Sequence, residues 1–230
     1  MNPAWNDNYA NAMRDVYRAH GDDHDVAALF AEAIMNRTPW QLWDVKSGTP
    51  AAGADTIEAI AVLERAMGRP GGTSHPGLLH LHLHLMEMGP HPERALPAAD
   101  HLRDLVADAG HLIHMPTHID MLCGHYAKVV EYNTRAIEAD RKFLAREGAL
   151  NFYTLYRCHD HHFKIYGAMF LGQSALALNA ADALIESLTE DLLRVEVPPL
   201  ADWLEGFVSM KLHVLIRFGK WHDIIAEKLR

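Results

Sequence analysis

Met121-Leu122-Cys123-Gly124-His125-Tyr126-Ala127-Lys128-Val129-Val130 sets a glycine and an aromatic residue between two stretches that each read as helix. Downstream, Val129, Tyr132, Ala136 and Ile137 recur at the three- and four-residue spacing of one buried helix face. The glycine permits a tight turn, and the alanine lets a neighbouring helix come close. Residues 114–140 therefore predict a helix, a turn and a second helix.

The same layout appears on both sides. Tyr9 to His20 runs into Gly21-Asp22-Asp23, and then Val26, Leu29, Phe30, Ala33 and Ile34 keep helical spacing up to Thr38-Pro39. Gly172-Gln173 is followed by Ala175, Leu176 and Leu184, and a last copy starts near Trp203, turns at Gly219-Lys220-Trp221 and stops at Arg230. Between the first two copies, Thr56–Met67, Pro76–Met88 and Pro92–Val106 read as helices, and the glycines and prolines of 40–75 mark long connections. Leu79-His80-Leu81-His82-Leu83-His84-Leu85 alternates with period two, a strand signal. Helix is the stronger reading, because Ser74 and Pro76 resemble a helix start and leucine outweighs β-branched residues. A glycine turn, an aromatic and small residues on the second helix follow the logic of a helical-hairpin repeat of about 34 residues. The prediction is an all-α, tetratricopeptide-like helical-hairpin solenoid, a right-handed superhelix forming one domain over 1–230. Trp40, Trp43, Trp203 and Trp221 read as core.

Composition narrows the function. The chain has 230 residues, 49% of them hydrophobic, enough for a sizeable core, and a formal net charge of −9. With no lysine- or arginine-rich tract, nucleic acid is not an expected partner. No apolar run approaches the roughly 18 residues that cross a bilayer, and Met1-Asn2-Pro3-Ala4-Trp5 lacks the pattern of a secretory leader. Cys123 and Cys158 make no disulfide framework, so the cytoplasm is the expected setting.

Histidine is the anomaly. There are 17, ten of them between His75 and His125. Three clusters have ligand spacing: His80, His84 and Glu87; His111, His114 and His118; His159 and His162. Residues three or four apart share a helix face and can present two imidazoles to one ion. Each cluster sits ahead of a turn glycine, on the first helix of a hairpin, which predicts that all eight donors line one concave groove. His82 lies on the opposite face of its helix and reads as structural, as do His125 and His161. His75 reads either as a helix-entrance residue or as an outer ligand. His20, His24, His91, His101, His213 and His222 read as solvated. Asp120 and Asp160 read either as carboxylates that orient imidazoles or as ordinary polar positions. Cys158 and Cys123 read as inert thiols before soft ligands, and Tyr153 and Tyr156 as packing aromatics before pocket residues.

Gly110-His111-Leu112-Ile113-His114-Met115-Pro116-Thr117-His118-Ile119 resembles a bacterial family of tetratricopeptide-repeat proteins that runs Gly-His-Leu-Val-His-Met-Pro-Ser-His-Ile here. His75-Pro76-Gly77 through His80, His84 and Glu87, then Pro92-Glu93-Arg94-Ala95-Leu96, is similar to its preceding segment. Tyr156, His159, His162 and Phe163 resemble a Tyr-x-x-His-Asn-x-His-Phe element, and Tyr9 to Arg14 and Arg217 to Trp221 resemble its outer landmarks, so the likeness spans roughly residues 8–222. Asp160, His82 and Asp120 stand where the family usually has asparagine, an aromatic and tyrosine. Members commonly carry a further helical segment before Tyr9, so the chain is expected to be short at that end. The resemblance implies the fold and the motif residues, and it names no reaction.

The leading expectation is a metalloenzyme. One or two ions would be held by His80, His84, Glu87, His111, His114, His118, His159 and His162, with Glu87 and Tyr156 as candidate catalytic groups. Imidazole-rich, thiolate-poor donors suit copper or iron and oxidative chemistry on a small-molecule substrate, with zinc hydrolysis next. The rivals are a peptide-binding scaffold and a metal store or carrier.

Overall fold

A computed structural model describes residues 3–197 and 199–227. Met1, Asn2 and the stop expected at Arg230 lie outside the described residues. The chain divides into two compact units, Met1–Val106 and Ala107–Arg230. Both are built from α-helices, and among the described residues the only strands are β1 (Trp43–Asp44) and β2 (Thr49–Pro50). No described helix is long and apolar enough to cross a membrane.

In the first unit, α1 (Pro3–His20) and α2 (His24–Met35) form the expected hairpin. The Asp23 carboxylate caps α2 by accepting from the amides of Asp25 and Val26. Ala27, Ala28, Phe30, Ala31, Ala33, Ile34 and Met35 are all buried, so α2 is apolar around most of its circumference and serves as the centre of the unit. Around it pack α1, α3 (Thr56–Met67) and α4 (Pro76–Met86), and Tyr17 of α1 stacks on Phe30 at 5.0 Å. A bidentate Arg14–Glu58 pair and the Arg37–Asp55 and Arg37–Asp7 pairs tie the surfaces of these elements.

The alternating stretch is helical, and its burial explains why. Leu78, Leu79, His82, Leu83, Leu85 and Met86 are the buried residues of α4, a 3.6-residue rhythm hidden beneath the leucine–histidine alternation. Its cap is His75, one residue past the expected Ser74. His75 Nδ1 accepts from the Leu78 amide at 3.1 Å, while Nε2 meets Asp25 Oδ1 at 3.0 Å. The expected helix over 92–106 is shorter, a 3-10 turn at Pro92–Ala95 and then α5 (Leu96–Leu102). The long connection over 40–75 holds a small antiparallel ribbon, β1 on β2, pinned to α4 by the Trp43 indole donating to the Leu85 carbonyl at 2.7 Å. Trp43 is the half-buried tryptophan of this segment. Trp40 is 77% exposed, and Trp203 and Trp221 are also largely exposed, which corrects the reading of these three as core.

In the second unit, the motif segment is not one helix. α6 (Gly110–His114) and α7 (Pro116–Leu122) are separated at Met115, because Pro116 lacks the amide that would continue the ladder. α8 (Tyr126–Glu147), α9 (Thr154–Phe170) and α10 (Ser174–Ser187) pack in succession, and α11 (Leu200–Val208), α12 (Met210–Arg217) and α13 (Trp221–Ala226) complete the unit. The turn glycines Gly124, Gly172 and Gly219 all take positive φ, at 81°, 73° and 64°. At Gly167 the backbone of α9 sits so close to the side chains of α8 that a Cβ would lie 2.9 Å from Val129 Cγ1.

His82 is 4% exposed, and neither ring nitrogen has a hydrogen-bond partner among the described residues. Burial lowers its pKa from the ordinary 6.5. The unfolded chain therefore takes up a proton that the folded chain refuses, and stability drains away as pH falls through about 6.5. His82→Phe should stabilise the protein by about 1–3 kcal/mol, by more at pH 5 than at pH 8, read from urea unfolding at both pH values.

Candidate metal centre

His114 at the end of α6 and His118 in α7 meet across the break at Met115. Their Nε2 atoms are 2.9 Å apart, and His159 Nε2 of α9 lies 3.3 Å from His118 Nε2. Three imidazole nitrogens thus converge on one point, all within 4.8 Å of one another. Three ligands at ~2.05 Å from a tetrahedral ion would stand ~3.3 Å apart, close to the 2.9 and 3.3 Å that separate His118 Nε2 from its two neighbours.

The tautomer of His114 follows from its surroundings. Asn133 Nδ2 donates to the Val129 carbonyl at 2.8 Å and to Thr117 Oγ1 at 3.0 Å. A carbonyl can only accept, so the amide orientation is decided, and Asn133 Oδ1 faces His114 Nδ1 at 2.7 Å. Asp160 Oδ1 stands 3.2 Å from the same nitrogen. Nδ1 therefore carries the hydrogen, and the Nε2 lone pair points at His118 and His159. Burial, followed by the neighbouring imidazoles of His118 and His159, holds the His114 pKa well below 6.5, so the ring is neutral and able to ligate at neutral pH.

Phe163 covers one side of the group. Its ring centroid is 4.4 Å from that of His118 and 4.8 Å from those of His114 and His159. Behind His114 lies a buried pair of carboxyls. Burial, then the charge of Asp140, raises Asp160 well above the ordinary carboxylate range, and burial raises Asp140 too. Tyr153 Oη donates to Asp140 Oδ1 at 2.8 Å. The Tyr153 oxygen in turn accepts the His111 amide at 3.3 Å. Of the two carboxylates considered for orienting imidazoles, Asp160 lies near His114 without a hydrogen bond to it, and buried Asp120 contacts His125 Nδ1 at 3.3 Å.

In the second unit, the other expected donors are His111 and His162. The His111 ring lies 6.0 Å from that of His114 and 4.8 Å from Tyr156, which also neighbours Tyr153 and the exposed Phe152. His162 packs on Tyr166 and Phe207, and burial lowers its pKa to about 4. In the first unit, the His80 and His84 rings are 4.7 Å apart, and His84 Nδ1 donates to Glu87 Oε1 at 2.9 Å. Glu87 thereby orients an imidazole of a two-histidine pair. Cys158 is buried, its thiol pushed up to about 12, and behaves as an inert core residue.

Asn133, Asp140 and Phe163 were not among the expected site residues. Asn133 and Asp140 had a readable signal: with Val129 and Ala136 they lie on the buried face of α8, where two polar residues break an apolar stripe. Comparisons with known protein families, with characterised proteins and with solved structures give no match to the chain.

Gly110 is where α6 passes closest to this network. A Cβ there would stand 2.0 Å from Asp140 Oδ1 and 3.0 Å from the Ala136 carbonyl. Gly110→Ala must displace Asp140 from Tyr153, and thermal or urea unfolding should show a loss of about 1–3 kcal/mol.

Proposed function

We propose that the second unit is the metal-binding part of a metalloenzyme, holding one transition-metal ion on Nε2 of His114, His118 and His159. The convergence of these three nitrogens carries the reading. Three protein ligands leave a tetrahedral ion one position for water or substrate, the arrangement of catalytic rather than structural sites. An all-imidazole set with no thiolate favours copper or iron and oxidation of a small molecule, with zinc and hydrolysis next. The ion would supply Lewis acidity or electron transfer; the protein's own residues orient and exclude. Asn133 aims His114, Phe163 keeps water off one side, and Tyr156 beside His111 is the phenol best placed to position a substrate. His80 and His84, with Glu87 orienting His84, are the half-site for a second ion.

The helical hairpins support a tetratricopeptide-like superhelix, and the stretch that resembles the bacterial repeat family, Gly110 to Ile119, carries two of the three ligands. Cys158 is a free thiol, in keeping with a cytoplasmic setting.

Protein purified without chelator should contain about one equivalent of copper, iron or zinc on the triad. A His114→Ala/His118→Ala variant should lose it and, with it, the thermal stabilisation that the metal confers. Protein that comes metal-free and does not take up added Cu(II), Fe(II) or Zn(II) sinks the reading in favour of a peptide-binding scaffold. Asn133→Leu, which releases the His114 tautomer, should weaken metal affinity about 10–100-fold in a competition titration with a chromophoric chelator. An affinity equal to that of the parent would remove Asn133 from the site.

A further inference from the structure

Within the second unit α11 packs on α9, and the two meet through aromatic rings. Trp203 and Phe207 are four apart and share one face of α11. Trp203 meets Phe152, just ahead of α9, at 5.4 Å, and Phe207 meets His162 at 5.8 Å. Between these contacts α9 carries Tyr156 and His159, which with His162 are spaced three apart and lie along one helix face. His159 belongs to the imidazole triad. A strip of rings therefore runs from Phe152 and Trp203 at the surface, past Tyr156, to the candidate metal position.

The outer end of the strip is open. Phe152 and Trp203 are 48% and 44% exposed, and their planes cross at 85°. An edge-to-face pair leaves ring faces uncovered, and a further planar ring can lie against them. Tyr153 stacks on Tyr156 at 5.6 Å, but the Tyr156 hydroxyl has no hydrogen-bond partner among the described residues, so it can donate to or accept from a ligand. The strip is also uncharged. It carries no carboxylate, guanidinium or ammonium, and burial lowers the His162 pKa to about 4, which keeps that ring neutral. The cations of α9, Arg157 and Lys164, act instead on His161, on the other side of the helix.

These features select the occupant. A carboxylate or phosphate finds no countercharge along the strip, and a wholly apolar ring leaves the Tyr156 hydroxyl unused. A protein partner needs about 800 Å² of surface per side. Two aromatic side chains offer at most about 500 Å², and less than half of each is exposed. A single planar ring bearing a hydroxyl matches both the open ring faces and the free phenol.

We propose that the strip binds a phenol, its ring against Phe152 and Trp203 and its hydroxyl at Tyr156, and that phenols are the substrate class of the site. The assignment as substrate rests on the metal reading above, whereas the binding itself needs no ion.

The experiment is a ligand-observed NMR titration of the full chain, metal-free and Zn(II)-loaded, with 4-methylphenol, toluene, cyclohexanol and benzoate. The metal-free chain should bind 4-methylphenol at least about tenfold tighter than cyclohexanol or benzoate. Trp203→Ala should weaken that binding about tenfold while metal content stays at the parent level. Tyr156→Phe should weaken 4-methylphenol about three- to tenfold and leave toluene unchanged, a split that a mere packing defect would not produce. Zn(II) on the triad should tighten 4-methylphenol by about threefold or more, again without effect on toluene. If Trp203→Ala does not fold, Phe152→Ala at the neighbouring exposed ring decides. Equal binding of 4-methylphenol and cyclohexanol, no binding of any compound, or parent-like binding by the variants overturns the proposal, and metal retained by such a protein leaves the metal reading standing. Phenol binding that ignores Zn(II) overturns the substrate assignment. Phenol binding by a chain that takes up no metal supports the strip and removes the metal reading.

Discussion

The second unit is organised around the hydrogen bond from Asn133 to the Val129 carbonyl. That bond is local to α8, a side chain reaching back one turn, yet it decides which end of the amide faces α6. With the amide nitrogen committed to Val129 and Thr117, its oxygen is the only group left for His114. His114 then has one tautomer, and its Nε2 is directed at the point where His118 and His159 also aim. An aliphatic residue at 133 would pack in the same space and leave the imidazole free to turn over.

Burying polar groups is costly unless each finds a partner. On the buried face of α8, Asn133 finds three, and Asp140 finds Tyr153. The close approach of Gly110 to Asp140 shows how tightly α6 is seated against this face. Such a network is more than a helical bundle needs for stability, since apolar residues of similar volume would cost less to bury. Its presence beside three converging imidazoles ties the buried polar chemistry of the unit to the candidate site rather than to folding alone. In the first unit, by contrast, α2 is wrapped in alanine and large aliphatic side chains, and buried His82 has neither ring nitrogen bonded.

Much was legible in the chain before any coordinates. Glycine turns at 124, 172 and 219, capped helix starts and three- and four-residue apolar spacing determine α-helices joined in hairpins, because backbone sterics and the helical period act over a few residues. Histidines at 114 and 118 also announce themselves, since a spacing of four places two imidazoles on one face. What the sequence could not decide is which of the remaining donors joins them. His159 and His162 have the same local pattern, but the packing of α9 brings His159 to the pair and sets His162 against Tyr166 and Phe207. The exposed Trp40, Trp203 and Trp221 make the same point for the core: residue type favours burial, and only the neighbours decide it. The partner of His114 at 133, the carboxyl near it at 160 and the lid at 163 were likewise settled by tertiary structure, because contacts across 19 to 49 positions of chain depend on how α6 to α9 pack and leave no periodicity to read.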